Sequence, residues 1–147
     1  MSSRGFTLLE LLIVIALTAV LAGAALLRGP RLIAGWRLAA GARQIIMDLK
    51  LARARAILTS ATHRVHFFAA DATYRHERQR PSGTYDPIAP ATGLPTSIAI
   101  AGCTAAGSGI SFRPRGNAGA FGTVTLRNAY GEQRAVVVDI VGRVRVQ

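Results

Sequence analysis

An α+β fold, one long N-terminal helix packed on a small antiparallel β-sheet domain, is predicted by three features of the sequence. The first is an apolar run, Phe6–Leu27, whose single ionisable side chain is Glu10. The second is a set of apolar residues at steps of three and four, Leu38, Ala42, Ile45, Leu49, Ala52 and Ala56, which lines one helix face. The third is a change after Leu58 to short alternating segments punctuated by glycine and proline, the pattern of strands and turns.

At about 1.5 Å per residue, a helix over Phe6–Leu27 covers the roughly 30 Å hydrocarbon core of a bilayer. The rest of the chain is then tethered to it. Glu10 is the anomaly, because an ionised acid at bilayer depth costs on the order of 3 kcal/mol and calls for a partner. Beyond the run, Pro30 in Arg28-Gly29-Pro30-Arg31 lacks an N–H and disfavours helical geometry at Gly29, which predicts a kink or a short melted segment. The helix then resumes. Arg37, Arg43, Gln44, Lys50, Arg53 and Arg55 fall off the apolar stripe, and its many alanines favour helix while letting a sheet approach closely. Trp36, just beyond the kink, reads as a membrane-interface or packing residue. Thr59-Ser60 ends the helix.

Strands are expected at 64–68, 73–78, 97–101, 109–113, 123–127, 133–140 and 143–147. Between them, 79–96 holds Pro81, Pro87, Pro90 and Pro95 with Gly83 and Gly93, and reads as a long irregular loop whose order the sequence leaves open. The expected organisation is a short polar segment at 1–5, a membrane helix at 6–27, an amphipathic helix at 28–58 and one β-rich domain at 59–147.

Charge is the most unusual bulk property. The net charge is +11, and apart from Arg4 and Glu10 every charged residue lies beyond Leu27. A surface this basic attracts polyanions such as nucleic acid, anionic lipid or acidic protein. Catalytic classes find no support. His63, His66 and His76 have no Cys or acidic ligand at a metal-binding spacing, and strand histidines of this kind are expected to be solvated. No glycine-rich phosphate loop precedes a helix, and no nucleophile–base–acid order stands out, so neither metal, cofactor nor small-molecule substrate is expected. Cys103 is alone, so no intrachain disulfide is possible, and a buried inert thiol is expected.

The N-terminus resembles a specific family. A polar leader ending in Gly5, then Phe6, a Glu at the fifth position after the glycine and an apolar run look like the class III signal sequence of type IV pilins and type II secretion pseudopilins. An ordinary secretory signal would lose its shorter apolar core on cleavage, whereas here the Gly5–Phe6 junction precedes the run, which is retained. The resemblance implies a prepilin peptidase cutting after Gly5, methylation of Phe6, other pilins as partners and a single-pass inner-membrane subunit whose globular domain is periplasmic. Orientation rests on this leader, since large domains translocate largely regardless of charge. Cleavage also leaves an amine on Phe6, four residues from Glu10 on the same helix face, where the carboxylate can pair with the amine of a neighbouring subunit.

Nearly the whole chain is similar to the GspH/FimT group of minor pilins. The similarity is carried by the helix-then-sheet order, by Gly109–Gly116 and Gly122–Leu126, and by the terminal Val138–Arg145 segment. One branch of that group sits at the pseudopilus tip in type II secretion, and members of the other bind DNA in natural transformation. The DNA site of the second branch resembles Gly142-Arg143-Val144-Arg145. In a strand, Arg143 and Arg145 share one face while Val144 and Val146 face the core, and stems about 7 Å apart suit successive phosphates. Gly142 would admit the nucleic-acid backbone, with Arg113, Arg115, Arg127 and Arg134 widening the basic field. Alternating Arg and Val is also how a protected edge strand looks, so a secretion-tip role and non-specific DNA binding both stand at this stage.

Overall fold

The computed structural model describes residues 7–147, and for residues 25–28 the backbone alone. Helix α1 runs Leu8–Leu58 with Pro30 inside it. Ten strands follow: β1 His63–Phe68, β2 Thr73–Gln79, β3 Tyr85–Pro87, β4 Thr92–Gly93, β5 Ile98–Cys103, β6 Gly109–Phe112, β7 Ala118–Ala120, β8 Gly122–Asn128, β9 Gln133–Val138 and β10 Val144–Val146. The chain divides into two compact units, Met1–Ile33 and Ala34–Gln147.

In the first unit, Thr7 caps the helix by accepting the Glu10 N–H at 3.3 Å, and Glu10 sits in the first turn, where the helix dipole favours a carboxylate. Every residue from Thr7 to Ala24 is exposed, and Leu8, Leu17 and Leu21 expose 78%, 59% and 69% of their surface. A helix that is apolar and exposed all round requires lipid or other helices around it. Thr18 is compatible with that, since its hydroxyl bonds the carbonyls of Val14 and Ile15, each at 2.9 Å. Among the described residues no single helix is long and apolar enough to cross a membrane, but Leu8–Ala24 and Gly29–Leu58, on either side of a break, pass together. Pro30 cannot donate to the carbonyl of Leu26, inside that break. The helix assignment continues through it, so the alternative of a melted segment does not form.

In the second unit, strands pair antiparallel throughout, in a first sheet ordered β3-β2-β1-β6-β7, with β4 also on β2, and a second ordered β10-β9-β8-β5. Leu38, Ala42, Ile45, Leu49, Ala52 and Ala56 are each 2% exposed or less, so the stripe read from periodicity is the buried face. They share one core with Val65, Phe67, Tyr74, Ile110 and Phe112 of the first sheet and Ile100, Val124, Leu126, Val136 and Val138 of the second. The helix ends at Leu58, where the Thr59 N–H and hydroxyl bond the Arg55 carbonyl at 2.9 and 2.7 Å and Ser60 turns left-handed at φ 49°.

Several sequence expectations need correction. The 79–96 segment is not irregular: it folds back twice on β2 as β3 and β4, with Ile88 N–H on the His76 carbonyl at 2.9 Å and Leu94 N–H on that of Ala72 at 3.1 Å. Pro87 is tolerated because β3 is an edge strand, where one N–H is dispensable. Strand β7 lies inside what reads as a glycine turn. Val146, expected in the core, is 41% exposed on the edge strand β10, while Val144 packs against the core. Of the two readings of Trp36, packing into the core is the one that fails, since the residue is 66% exposed. Cys103 is half-buried, and burial pushes its thiol upward against an opposing backbone hydrogen bond at Ala105.

The histidines also depart from expectation. His63 and His76 are 3% and 7% exposed, because His63, Val65 and Phe67 on β1 and Tyr74 and His76 on β2 share the buried face. A polar cluster joins this face to the helix. The Tyr74 hydroxyl donates to Asp48, and Gln44 donates to Tyr74 Oη at 2.9 Å and to the Gly93 carbonyl at 3.1 Å. His63 Nε2 lies 2.9 Å from Thr59 Oγ1. His76 Nε2 is 3.3 Å from Asp48 Oδ1 but not aligned for a hydrogen bond, and the Nδ1 atoms of both histidines lack partners. Burial, then the charges of Arg78 and Arg55, hold His63 below its ordinary 6.5. Burial lowers His76 too, with Asp48 opposing and Arg55 reinforcing. On the other face, Glu77 is 2% exposed and takes guanidinium hydrogen bonds from Arg64 and Arg75. Burial raises that carboxyl, but the two arginines outweigh it and its pKa falls below the ordinary value.

Two outcomes follow. Because the folded protein resists protonating His63 and His76, the unfolded chain binds more protons below about pH 6.5, and stability falls as pH drops from 7.5 to 5.5. The Glu77 contribution is held until pH falls below about 4.3, so it does not mask this window. Denaturant midpoints across pH 5.5–7.5 check this, and His76→Gln flattens the profile. Leu49→Ala, at a fully buried stripe position, lowers unfolding free energy by about 2–5 kcal/mol in the same assay.

Candidate functional site

Two positions carry the functional expectations, one at each end of the chain. Gly5 and Phe6, the expected cleavage and methylation site, lie outside the described residues. Glu10 lies within them, exposed, on the first turn of α1.

At the C-terminal end, two turns that are distant in sequence, Arg113–Gly116 and Asp139–Gly142, are held together. Each is four residues long and closed by a glycine: Gly116 N–H bonds the Arg113 carbonyl at 2.8 Å, and Gly142 N–H bonds the Asp139 carbonyl at 2.9 Å. Proline after the first residue in one, aspartate first in the other, and glycine last in both are turn-forming choices. Both glycines have positive φ, 79° and 83°. They also pack on each other, since a Cβ on Gly142 would lie 2.4 Å from the Gly116 carbonyl oxygen. That same oxygen accepts Arg53 Nε at 2.8 Å from α1. A further bond, Ala118 N–H to the Ile140 carbonyl at 3.1 Å, ties the start of β7 to the second turn. The Arg113 stem runs over Gly119, where a Cβ would meet its Cγ at 3.3 Å.

Arg113, Arg115, Arg143 and Arg145 are all exposed around this clasp. Asp139 is the one acid within it, accepting the Arg143 N–H at 2.8 Å. Arg145 pairs with Val137, and Asp139 N–H bonds the Arg143 carbonyl at 3.1 Å, so both arginines keep the parity that points away from Val138 and the core. Arg127 shares that parity, but four residues further along β8 than Thr123, which pairs with Val137 in the row of Arg145. Arg134 pairs with Leu126 and has the opposite parity. The structure therefore joins Arg113 and Arg115 to the Gly142–Arg145 segment and leaves Arg127 and Arg134 outside the clasp.

The role expected for Gly142 changes. Its open space is occupied by the protein's own Gly116 carbonyl, so the glycine serves the clasp rather than a ligand's backbone. Sequence reasoning also missed Arg53, whose off-stripe position signalled only exposure, and Asp139, whose place at the head of a four-residue turn was the available signal. Beside the first turn, Arg113, Pro114, Arg115 and Asn117 line an open hollow of about 320 Å³. Among the described residues no group of three or more His, Cys, Asp or Glu side chains could hold a metal ion.

Comparison with known proteins places this geometry. Residues 41–142 match the family described as "Type II transport protein GspH", and residues 1–26 match the "Prokaryotic N-terminal methylation motif". No curated protein matches the chain by sequence. The minor pseudopilin EpsH from the Type 2 Secretion System of Vibrio cholerae superposes with TM-score 0.61 at 15% identity, covering 76% of this chain and 96% of that one. The type IV minor pilin FimU of Pseudomonas aeruginosa superposes with TM-score 0.58 at 14% identity, covering 75% and 87%. At such identities these structures show a shared fold, while the sequence profile extends over most of the chain. This protein belongs to the GspH family of pilin-like proteins, with a prepilin-type N-terminal methylation motif.

Proposed function

We propose that the chain is a non-catalytic minor subunit of a secretion pseudopilus, made as an inner-membrane prepilin and assembled near the fibre tip with its globular domain in the periplasm. Prepilin peptidase removes Met1–Gly5, Phe6 is methylated, and the exposed apolar helix packs among the helices of other subunits. The observation that carries this reading is the helix itself, exposed at every residue from Thr7 to Ala24 with one carboxylate, Glu10, in its first turn. The match to the family described as a type II transport protein supports a place in secretion.

Glu10 supplies register. Paired with the Phe6 amine of a neighbour it neutralises two buried charges at once, whereas a slipped helix leaves both unpaired. In Glu10→Leu an unpaired amine costs about 3 kcal/mol, which reduces incorporation into sheared fibre fractions by about a hundredfold while membrane insertion persists. Wild-type incorporation of that variant would refute the pairing.

A second reading, non-specific DNA binding for transformation, is favoured by the clasp, which concentrates Arg113, Arg115, Arg143 and Arg145 on one exposed surface. Full-length protein in neutral detergent should then retard duplex DNA with a steep salt dependence. Arg143→Gln/Arg145→Gln should weaken binding and reduce the slope of log affinity against log salt by about two. Binding at physiological salt that ignores both changes would remove these residues from the site, and no binding by folded wild type would leave the secretion reading alone.

A further inference from the structure

We propose that Phe121 is a base-stacking platform beside the two basic turns, and that the ligand selected there is single-stranded nucleic acid. The inference rests on the DNA reading of those turns and adds what the arginines alone cannot specify, the form of the nucleic acid.

Phe121 lies where the chain passes from β7 in the first sheet to β8 in the second, and 56% of its surface is exposed. Its place is fixed by the residue that follows. A Cβ on Gly122 would stand 2.7 Å from the Ala105 backbone nitrogen, so this strand is pressed against Ala105 with no latitude to shift. Gly122 pairs with Val138, immediately before Asp139, whose carboxylate and N–H both engage Arg143. The next residue along β8, Thr123, pairs with Val137, which pairs in turn with Arg145. Phe121 thus stands at the start of β8, at the end of the second sheet where the β9–β10 turn leads into Arg143 and Arg145 and exposes Ile140 and Val141 at 62% and 54%.

Other exposed aromatics do not share this setting. Trp36 lies on α1, and Tyr130 lies on the β8–β9 turn, at the opposite end of β8. Among the exposed aromatics of the described residues, Phe121 is the one whose strand register sets it beside the segment that carries Arg143, Arg145 and Asp139. A polyanion that offers flat apolar faces along a charged backbone is complementary to that combination. Single-stranded nucleic acid does so at every residue, since each base has a π-face, whereas a duplex buries those faces in its own stack. Anionic lipid matches the charge but offers no planar partner.

The test is fluorescence anisotropy of labelled oligothymidylate and of a duplex of equal length, with full-length protein in neutral detergent at low and at physiological salt. Wild type is expected to hold the single strand more tightly than the duplex. Phe121→Ala should weaken single-strand binding about tenfold, leaving duplex affinity, salt slope and melting temperature unchanged. Phe121→Trp should restore single-strand affinity, with emission quenched on binding. If wild type binds both forms and loses both in Arg143→Gln/Arg145→Gln, but Phe121→Ala changes neither or weakens both equally, the stacking assignment is overturned and the DNA reading survives. If wild type binds neither form, both readings fall. If Phe121→Ala spares both affinities yet lowers recovery in sheared fibre, the ring is a subunit contact and the proposal is wrong.

Discussion

One alanine-rich helix face packs against two sheets and joins them into a single core. Ala42, Ala52 and Ala56 are 1% exposed or less, and with so little side chain between them the helix backbone and the strands can approach closely. Residues Leu38 to Ala56 thus bind both sheets into one core. The same helix begins with a segment that is apolar and exposed on every side. One element therefore serves two solvents, burying a stripe in its own domain and offering a whole surface to lipid or to other helices. A pilin-like subunit requires that combination, because its anchor must later become part of a fibre.

The C-terminal clasp depends on the same helix. Arg53 leaves the helix beside the buried stripe and bonds the Gly116 carbonyl, on which Gly142 closes. Helix, first basic turn and second basic turn are stitched together at one oxygen atom. The four arginines around it are all exposed. Electrostatics elsewhere is managed differently: Glu77 is buried beneath Arg64 and Arg75, and Arg64 also stacks on Tyr85 at 3.8 Å, so those cations are engaged within the fold. Arg113, Arg115, Arg143 and Arg145 around the turns are drawn into no such ion pair among the described residues.

Much of this was legible in the residues. The buried stripe, the helix end at Leu58 and the main strands follow from periodicity and turn chemistry, which are local properties. What was not legible depends on long-range pairing. The 79–96 segment gains order only because β2 has a free edge to receive it, and no composition reports that edge. His63 and His76 look solvated because histidine is polar, yet strand parity turns them toward the helix. At the candidate site the arginines were visible as a short motif, but the partners of Gly142 and Arg53 lie tens of residues away, and Phe121 becomes interesting only once β8 lies beside β9. Glu10 was legible for the opposite reason: a charge in an apolar run is conspicuous without any structure.

We propose that the N-terminal helix is a processed assembly element rather than a plain anchor. The most direct measurement is the intact mass and N-terminal sequence of the protein recovered from membranes and from sheared fibres. The expected result is a chain beginning at Phe6, bearing one methyl group on its amine and retaining Glu10 and the whole apolar run in both fractions. A chain that keeps Met1–Gly5, or one cut after the apolar run and released without it, would contradict it.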